Sequence, residues 1–407
     1  MWMIGYLLRL PSIEAPGAVV LAALLAVLIV GGHLTARSTC RPRATSFLAG
    51  MTAMLVNLLI LGGLLAEGGT EGIIRRAVIW VPGSLLLGGI MAWFGSWTTR
   101  GAQPRLSSST TWNARFARVA VAATVGLMLI GGLVTSHEAG LAVPDWPRTF
   151  GSNMFLYPLS RMTGGIYYEH AHRLFGALVG LTTLTLAVRL ALSESRRAVK
   201  LLGLVALVLV STQGLMGGMR VTEKSTALAI SHGIVAQLFL ALLVVIATIC
   251  GERWQAAPPV PGSALARQLL LQTRVLFGAL FVQLVLGAIV RQSGRWVLIH
   301  ILGAALVTTL AFRLVGTVKA KLPHPVIGPW ASVSSFLIGL QLMLGFAAWL
   351  ASAGRAKLET PSTADLWLTT LHQTHGALLL AAVAFGTVWV HRVCQVGQPD
   401  SALPRPA

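Results

Sequence analysis

The chain has 407 residues, of which 55% are hydrophobic and only 11% charged. Its mean hydropathy of +0.76 excludes a water-soluble domain of this size. The formal charge of +19 would suit nucleic acid only if the basic residues formed a patch. They are sorted by loop instead: Arg37, Arg41, Arg43, Arg196, Arg197, Lys200, Lys319 and Lys321 all fall on one set of alternate connections. That is the positive-inside pattern of a membrane protein. It makes those connections cytoplasmic and leaves no need for a nucleic-acid partner.

In chain order, Met1 to Pro16 carries Arg9 and Glu14 ahead of the first long apolar run and shows no small-residue cleavage site, so no removable signal peptide is expected. Three apolar segments follow near 17–36, 45–66 and 76–97. A polar stretch, Thr98 to Asn113, then reads as a cytoplasmic linker. Eight further segments lie near 116–136, 164–190, 199–219, 226–249, 273–292, 296–315, 326–352 and 365–391. Each is long enough to cross a hydrocarbon core of about 30 Å as a helix. The runs are continuous rather than alternating, which selects helices over a barrel.

The Pro-rich loop Ala256 to Gly262 divides the last eight segments into two sets of four. The third spans of the sets align, with Gln213-Gly214-Leu215-Met216-Gly217 matching Gln341-Leu342-Met343-Leu344-Gly345, and Gly131 to Val134 in one first span matches Gly287 to Val290 in the other. The expected architecture is therefore an all-α polytopic membrane protein. Two pseudo-symmetric four-helix bundles, 111–255 and 256–407, follow an N-terminal extension of three transmembrane helices, 1–110. Cys40, Cys250 and Cys394 lie far apart on or near the cytoplasmic face, with no disulfide or metal spacing.

Among ten histidines, His172, His232, His300 and His372 share one position: the first turns, from the outer surface, of the second or fourth span of a set. Each is followed four residues later by a small residue, Gly176, Ala236, Ala304 and Gly376, on the same helix face. Such a face admits a flat macrocycle beside its ligand, and two histidines per bundle can hold one iron axially. Ordinary interhelical hydrogen bonding explains one such histidine; four at equivalent repeat positions favour ligation. His375 shares nearly the same face as His372 and is an alternative to it, although the small-residue rule selects His372. His33, His137, His170, His324 and His391 are expected to be solvated or interfacial.

The two sets differ at one carboxylate. Glu169 lies three residues before His172, whereas Ala229, Val297 and Thr369 hold the matching places before the other three histidines. A carboxylate in a low-dielectric pocket can move protons or stabilise a cation during an oxidation. The plainer reading is an ion pair with Arg173, one turn on. Arg173, Arg220 and Arg291 stand at outer helix ends, where a guanidinium can take carboxylate groups of a ligand or anchor the helix at the interface. In the long first outer loop, His137 to Thr163, the run Gly140-Leu141-Ala142-Val143-Pro144-Asp145-Trp146-Pro147 is stiff and aromatic. Asp145 and Trp146 are thus candidates for covering a bound macrocycle, with an interfacial tryptophan belt as the alternative.

The loop run, the segment Tyr167-Tyr168-Glu169-His170-Ala171-His172-Arg173-Leu174-Phe175-Gly176, the run Gln213 to Val221 and the later histidines together resemble the haem A synthase family, from about Arg115 to the end. The resemblance implies oxidation of the C8 methyl of haem O to a formyl by successive hydroxylations and loss of water, giving haem A for cytochrome oxidase. It implies Glu169 as the essential carboxylate, His172 and His232 as ligands of the substrate haem, and His300 and His372 as ligands of a haem b cofactor that passes electrons. Partners would be an unidentified electron donor, haem O synthase and cytochrome oxidase assembly factors. The site would face the extracytoplasmic side of the inner (plasma) membrane. Three features depart from the family pattern. No cysteine lies between Cys40 and Cys250, where some members carry a pair in the first outer loop; Ile301 follows His300 where an Arg is expected; and the first 110 residues lie outside the family core, open to a role as an accessory module that docks a partner. The rival reading is a di-haem membrane cytochrome that only transfers electrons, and a transporter is a third.

Overall fold

The computed structural model describes residues 1–67, 72–99, 109–256, 264–322, 324–355 and 361–396. Among these the protein is helical, with no strand. Eleven helices are long and apolar enough to span a bilayer, at the positions the apolar runs predict, and the chain is a multi-pass membrane protein. The Pro-rich loop and most of the linker lie outside the described residues. Two short helices, α1 (Trp2–Leu8) and α9 (Glu252–Gln255), are too short to span a bilayer and come as additions.

The long helices are α2 (Gly17–Ala36), α3 (Pro42–Leu65), α4 (Ile73–Ser96), α5 (Ser109–Ser136), α6 (Gly164–Ser193), α7 (Arg197–Thr222), α8 (Thr226–Ile249), α10 (Ala264–Ser293), α11 (Val297–Lys321), α12 (Ile327–Arg355) and α13 (Thr363–Val396). Several outrun their apolar windows, α10 by two turns at its start, because backbone bonding continues through polar residues such as Arg267 and Gln268 once outside the hydrocarbon.

The chain divides into two compact units, one of 1–108 with 138–178 and one of 109–137 with 179–407, the break falling within α6. In the first, α2, α3 and α4 approach closely along small residues. A Cβ on Gly50 would meet Gly88, one on Gly32 would meet the backbone of Ala92, and one on Gly95 the carbonyl of Ile29. In an apolar solvent this close backbone packing is what draws helices together.

In the second unit α13 is the most deeply buried span and packs against α5, α8, α10 and α12. Its Gly386 lies against the Trp330 ring, whose indole N–H donates to the Ala382 carbonyl at 2.7 Å. A polar cluster ties α5, α10 and α13 together: Arg291 donates to the Ser136 hydroxyl at 2.6 Å, and Ser136 stands 2.9 Å from the Thr370 hydroxyl. Ser136 and Thr370 are buried and Arg291 partly so, and these bonds satisfy polar groups where water is scarce.

Candidate functional site

Each unit carries part of the set of residues singled out by sequence. In the first, Glu169 is 4% exposed and lies one turn before Arg173, whose Nε donates to Glu169 Oε1 at 3.1 Å. The ion pair expected at this spacing is thus present, but the guanidinium does more. Its Nη1 donates to the Asp145 carbonyl at 2.6 Å and to that of Arg148 at 3.0 Å, and its Nη2 to that of Val143 at 2.9 Å. The rigid fork of five N–H groups suits this task, since one planar group can bind several carbonyls converging from a loop. Arg173 therefore joins the carboxylate to the backbone of the outer loop.

The loop is also tied within itself. The Asp145 carboxylate accepts from the backbone N–H groups of Phe150 at 2.8 Å and Gly151 at 2.7 Å. Burial opposes the charge, but these two donors, with Arg173 nearby, hold the carboxyl below its usual range. The backbone reverses there through Phe150 (φ +48°) and Gly151 (φ +75°), the second a place where glycine avoids a Cβ penalty. Asp145 so acts as a tie of the loop, and Trp146 beside it remains exposed.

Two of the five histidines expected to be solvated or interfacial are instead buried within the protein. His170 is 1% exposed, between the Thr149 hydroxyl at 3.2 Å from Nδ1 and the Tyr157 ring at a centroid distance of 5.1 Å. His324 is buried at the start of α12, its Nδ1 accepting from Val326 and Ile327 N–H. Position near a helix end implied solvent, but the loop folds over His170, and a cap buries His324. His33 and His137 are partly buried and His391 is exposed. His172 lies on the same helix face as Glu169, and a Cβ on Gly176, one turn further, would meet nothing within 4 Å.

In the second unit His232, His300 and His372 share one seating. A Cβ on Gly217 would stand 3.2 Å from His232 Cε1, one on Gly287 3.1 Å from His300 Cε1, and one on Gly345 2.8 Å from His372 Cε1. A glycine on the preceding helix is thus what admits each ring. Four residues before each glycine stands a glutamine, Gln213, Gln283 and Gln341. The carboxamide of Gln283 lies 3.0 Å from His300 Nδ1 and donates to the His300 carbonyl at 2.8 Å; that of Gln341 lies 3.1 Å from His372 Nδ1. In all three, Nδ1 is nearer the glycine than Nε2. The amide N–H groups of Gln283 and Gln341 thus reach Nδ1 of His300 and His372 and fix the orientation of each ring from behind.

His300 and His372 are brought together, with ring centroids 6.3 Å apart and planes at 90°. Two imidazoles bound to one ion through bonds of ~2 Å would hold their centroids roughly 6 Å apart. Among the described residues, no group of three or more His, Cys, Asp or Glu gathers to hold an ion. A pair without further protein ligands suits an iron whose other four positions are filled by a porphyrin, so these residues fit a haem. His375, the alternative to His372, donates through Nδ1 to Gln341 Oε1 at 2.6 Å and so braces the carboxamide beside His372.

Arg220 lies in the last turn of α7, and Arg291 is engaged by Ser136. The glutamines were not singled out as site residues, although the Gln-x-x-x-Gly pattern was visible in the aligned third spans and recurs at Gln283 and Gly287.

Comparison with known proteins bears out the family resemblance over part of the chain. Residues 114–299 match the COX15-CtaA family, cytochrome oxidase assembly protein. A haem A synthase of Lysinibacillus sphaericus (strain C3-41) is 36% identical over 31% of this chain and 42% of its own length. One from Caulobacter sp. (strain K31) is 29% identical over 39% of this chain and 45% of its own. The chain thus spans less than half the length of each of these relatives. No solved structure matches.

Proposed function

From the membership of residues 114–299 in the COX15-CtaA family, we propose that the whole chain is a haem A synthase that oxidises the C8 methyl of haem O to the formyl of haem A. The observation that carries the reading is the pairing of His300 with His372 at a spacing suited to one iron, in a chain whose first bundle adds a buried carboxylate. Two hydroxylations of the methyl, each a two-electron oxidation that would take one oxygen atom from dioxygen while the donor's electrons and two protons carry the other to water, give a geminal diol that loses water to the aldehyde. His300 and His372 would hold a haem b, which would supply one-electron transfer. His172 and His232 take the substrate haem, as the resemblance implies. Glu169, held in place by Arg173, supplies a proton-accepting or charge-stabilising group beside that substrate. Arg220 and Arg291 are assigned to haem propionates, and Asp145 and Trp146 to the loop that excludes water.

We read 1–110 as an extension, 111–255 as the substrate bundle and 256–407 as the haem b bundle, the two bundles being related by pseudo-symmetry. The recurrence of Gln, Gly and His across α7–α8, α10–α11 and α12–α13 supports that duplication. The charge bias of the loops supports haem sites facing the extracytoplasmic side of the inner membrane. Haem O synthase, an electron donor and oxidase assembly factors are the partners this activity requires.

Expression in a host that makes haem O but has no haem A synthase of its own tests the proposal. Appearance of haem A in that host supports it. A protein loaded with haem that leaves haem O unchanged, with an electron supply in place, would instead favour a di-haem electron carrier.

A further inference from the structure

The extension of three spans precedes the family match, which begins at residue 114, yet it does not form a unit by itself. Residues 1–108 cluster with 138–178, the outer loop and the first half of α6. Three separate contacts join them. At the end of α3, a Cβ on Gly62 would stand 2.5 Å from the Phe155 carbonyl, and one on Gly63 would meet that of Tyr157. Just beyond, the Glu67 carboxylate accepts from the Ser160 backbone N–H at 2.9 Å and from its hydroxyl at 2.5 Å. From α1, Tyr6 stacks on Tyr167 at 5.3 Å and its carbonyl accepts from the Tyr167 hydroxyl at 2.6 Å, while Trp2 meets Phe175 edge-on at 5.4 Å.

These contacts end on the segment that holds the carboxylate. Tyr157, gripped by Gly63, packs on His170, the neighbour of Glu169. Tyr167 and Phe175 flank Glu169 and Arg173 on α6, and Arg173 binds the loop through three carbonyls. A loop of this length costs conformational entropy to order and needs a tie. With no cysteine between Cys40 and Cys250, a disulfide cannot be that tie. The hydrogen bonds from Ser160 outweigh burial and hold the Glu67 carboxyl below its usual range, so it is charged when it grips the loop.

We propose that the N-terminal extension is a built-in brace that fixes the outer loop and, through it, the Glu169–Arg173 pair, with Glu67, Gly63 and Tyr6 as positioning residues. It rests on the haem A synthase reading only for what Glu169 does. The glycines explain the close approach, since any side chain at Gly63 would push the Tyr157 segment away.

The test compares full-length wild type with Glu67→Leu, Glu67→Gln and Gly63→Val, each purified with its haem complement checked by absorbance. The readouts are amide hydrogen exchange of residues 143–162 and turnover of haem O. Glu67→Leu and Gly63→Val should speed exchange in that segment about tenfold or more. They should lower kcat by about tenfold to a hundredfold, with KM changed little, because the carboxylate is misplaced while the substrate is still held. Glu67→Gln keeps an oxygen that accepts from Ser160 and should restore most of both. Exchange and kcat unchanged in both disruptive variants would overturn the proposal, as would equal losses in Glu67→Leu and Glu67→Gln. If wild type makes no haem A, the synthase reading fails, while the exchange comparison still decides whether the brace exists.

Discussion

His300 and His372 face each other across 6.3 Å with their ring planes perpendicular, each ring seated on a glycine of the preceding helix with Nδ1 beside a glutamine carboxamide. That spacing suits two ligands of one shared iron. Replacing either histidine by Ala should abolish the bis-imidazole absorbance spectrum of the C-terminal haem and lower the haem-to-protein ratio. His375→Ala should keep the spectrum, because His375 contacts Gln341 instead. The reverse pattern would make His375 the ligand.

The glutamines should tune what the histidines bind. Gln283→Leu and Gln341→Leu remove the groups beside Nδ1 and should weaken haem retention by about tenfold to a hundredfold, the usual cost of losing an outer partner of a ligating histidine. A haem titration of each variant, followed by its reduction midpoint, measures this. Retention equal to wild type in both would mean that the glutamines only pack.

Arg173 carries a heavier load than its helix position suggests. Its side chain and that of Glu169 are only 7% and 5% exposed, so removing the cation leaves a buried carboxylate and three loop carbonyls without it. Arg173→Leu should cost about 3–5 kcal/mol and expose the outer loop to protease. Arg173→Lys should rescue little, since an ammonium cannot span the same carbonyls.

The spans were legible in the sequence because long apolar runs and their polar interruptions obey local rules. The burial of His170 was not, since it depends on Thr149 and Tyr157 folding back from the loop. Likewise, the spacing from Glu169 to Arg173 revealed the ion pair but not the three carbonyls, which come from residues 25 to 30 positions away. Tyr6 and Glu67 gave no local signal at all, because each acts on a partner about a hundred or more positions distant. Gln283 had such a signal in its Gly287 spacing, once Gln213 and Gln341 were seen to share it.

Acid should release the outer loop late. The folded Asp145 carboxyl lies below the usual carboxylate range, so its contribution is present above that range and is lost as pH falls through the lower folded value. Fluorescence from the exposed Trp146 and its neighbours should therefore hold steady from pH 7 to about 4 and change only below it. Asp145→Ala should remove that acid transition and loosen the loop at neutral pH. A transition well above pH 4 in wild type would show that another group governs the loop.

Whether Glu169 takes part in oxidising a haem methyl is decided by mass analysis of haem extracted from wild type and Glu169→Ala, each supplied with haem O and reductant under air. Haem A or its hydroxylated precursor is expected in wild type, with Glu169→Ala either leaving haem O untouched or stalling at the precursor while binding the same amount of haem. Unmodified haem O in both preparations, or equal haem A in both, would contradict that role.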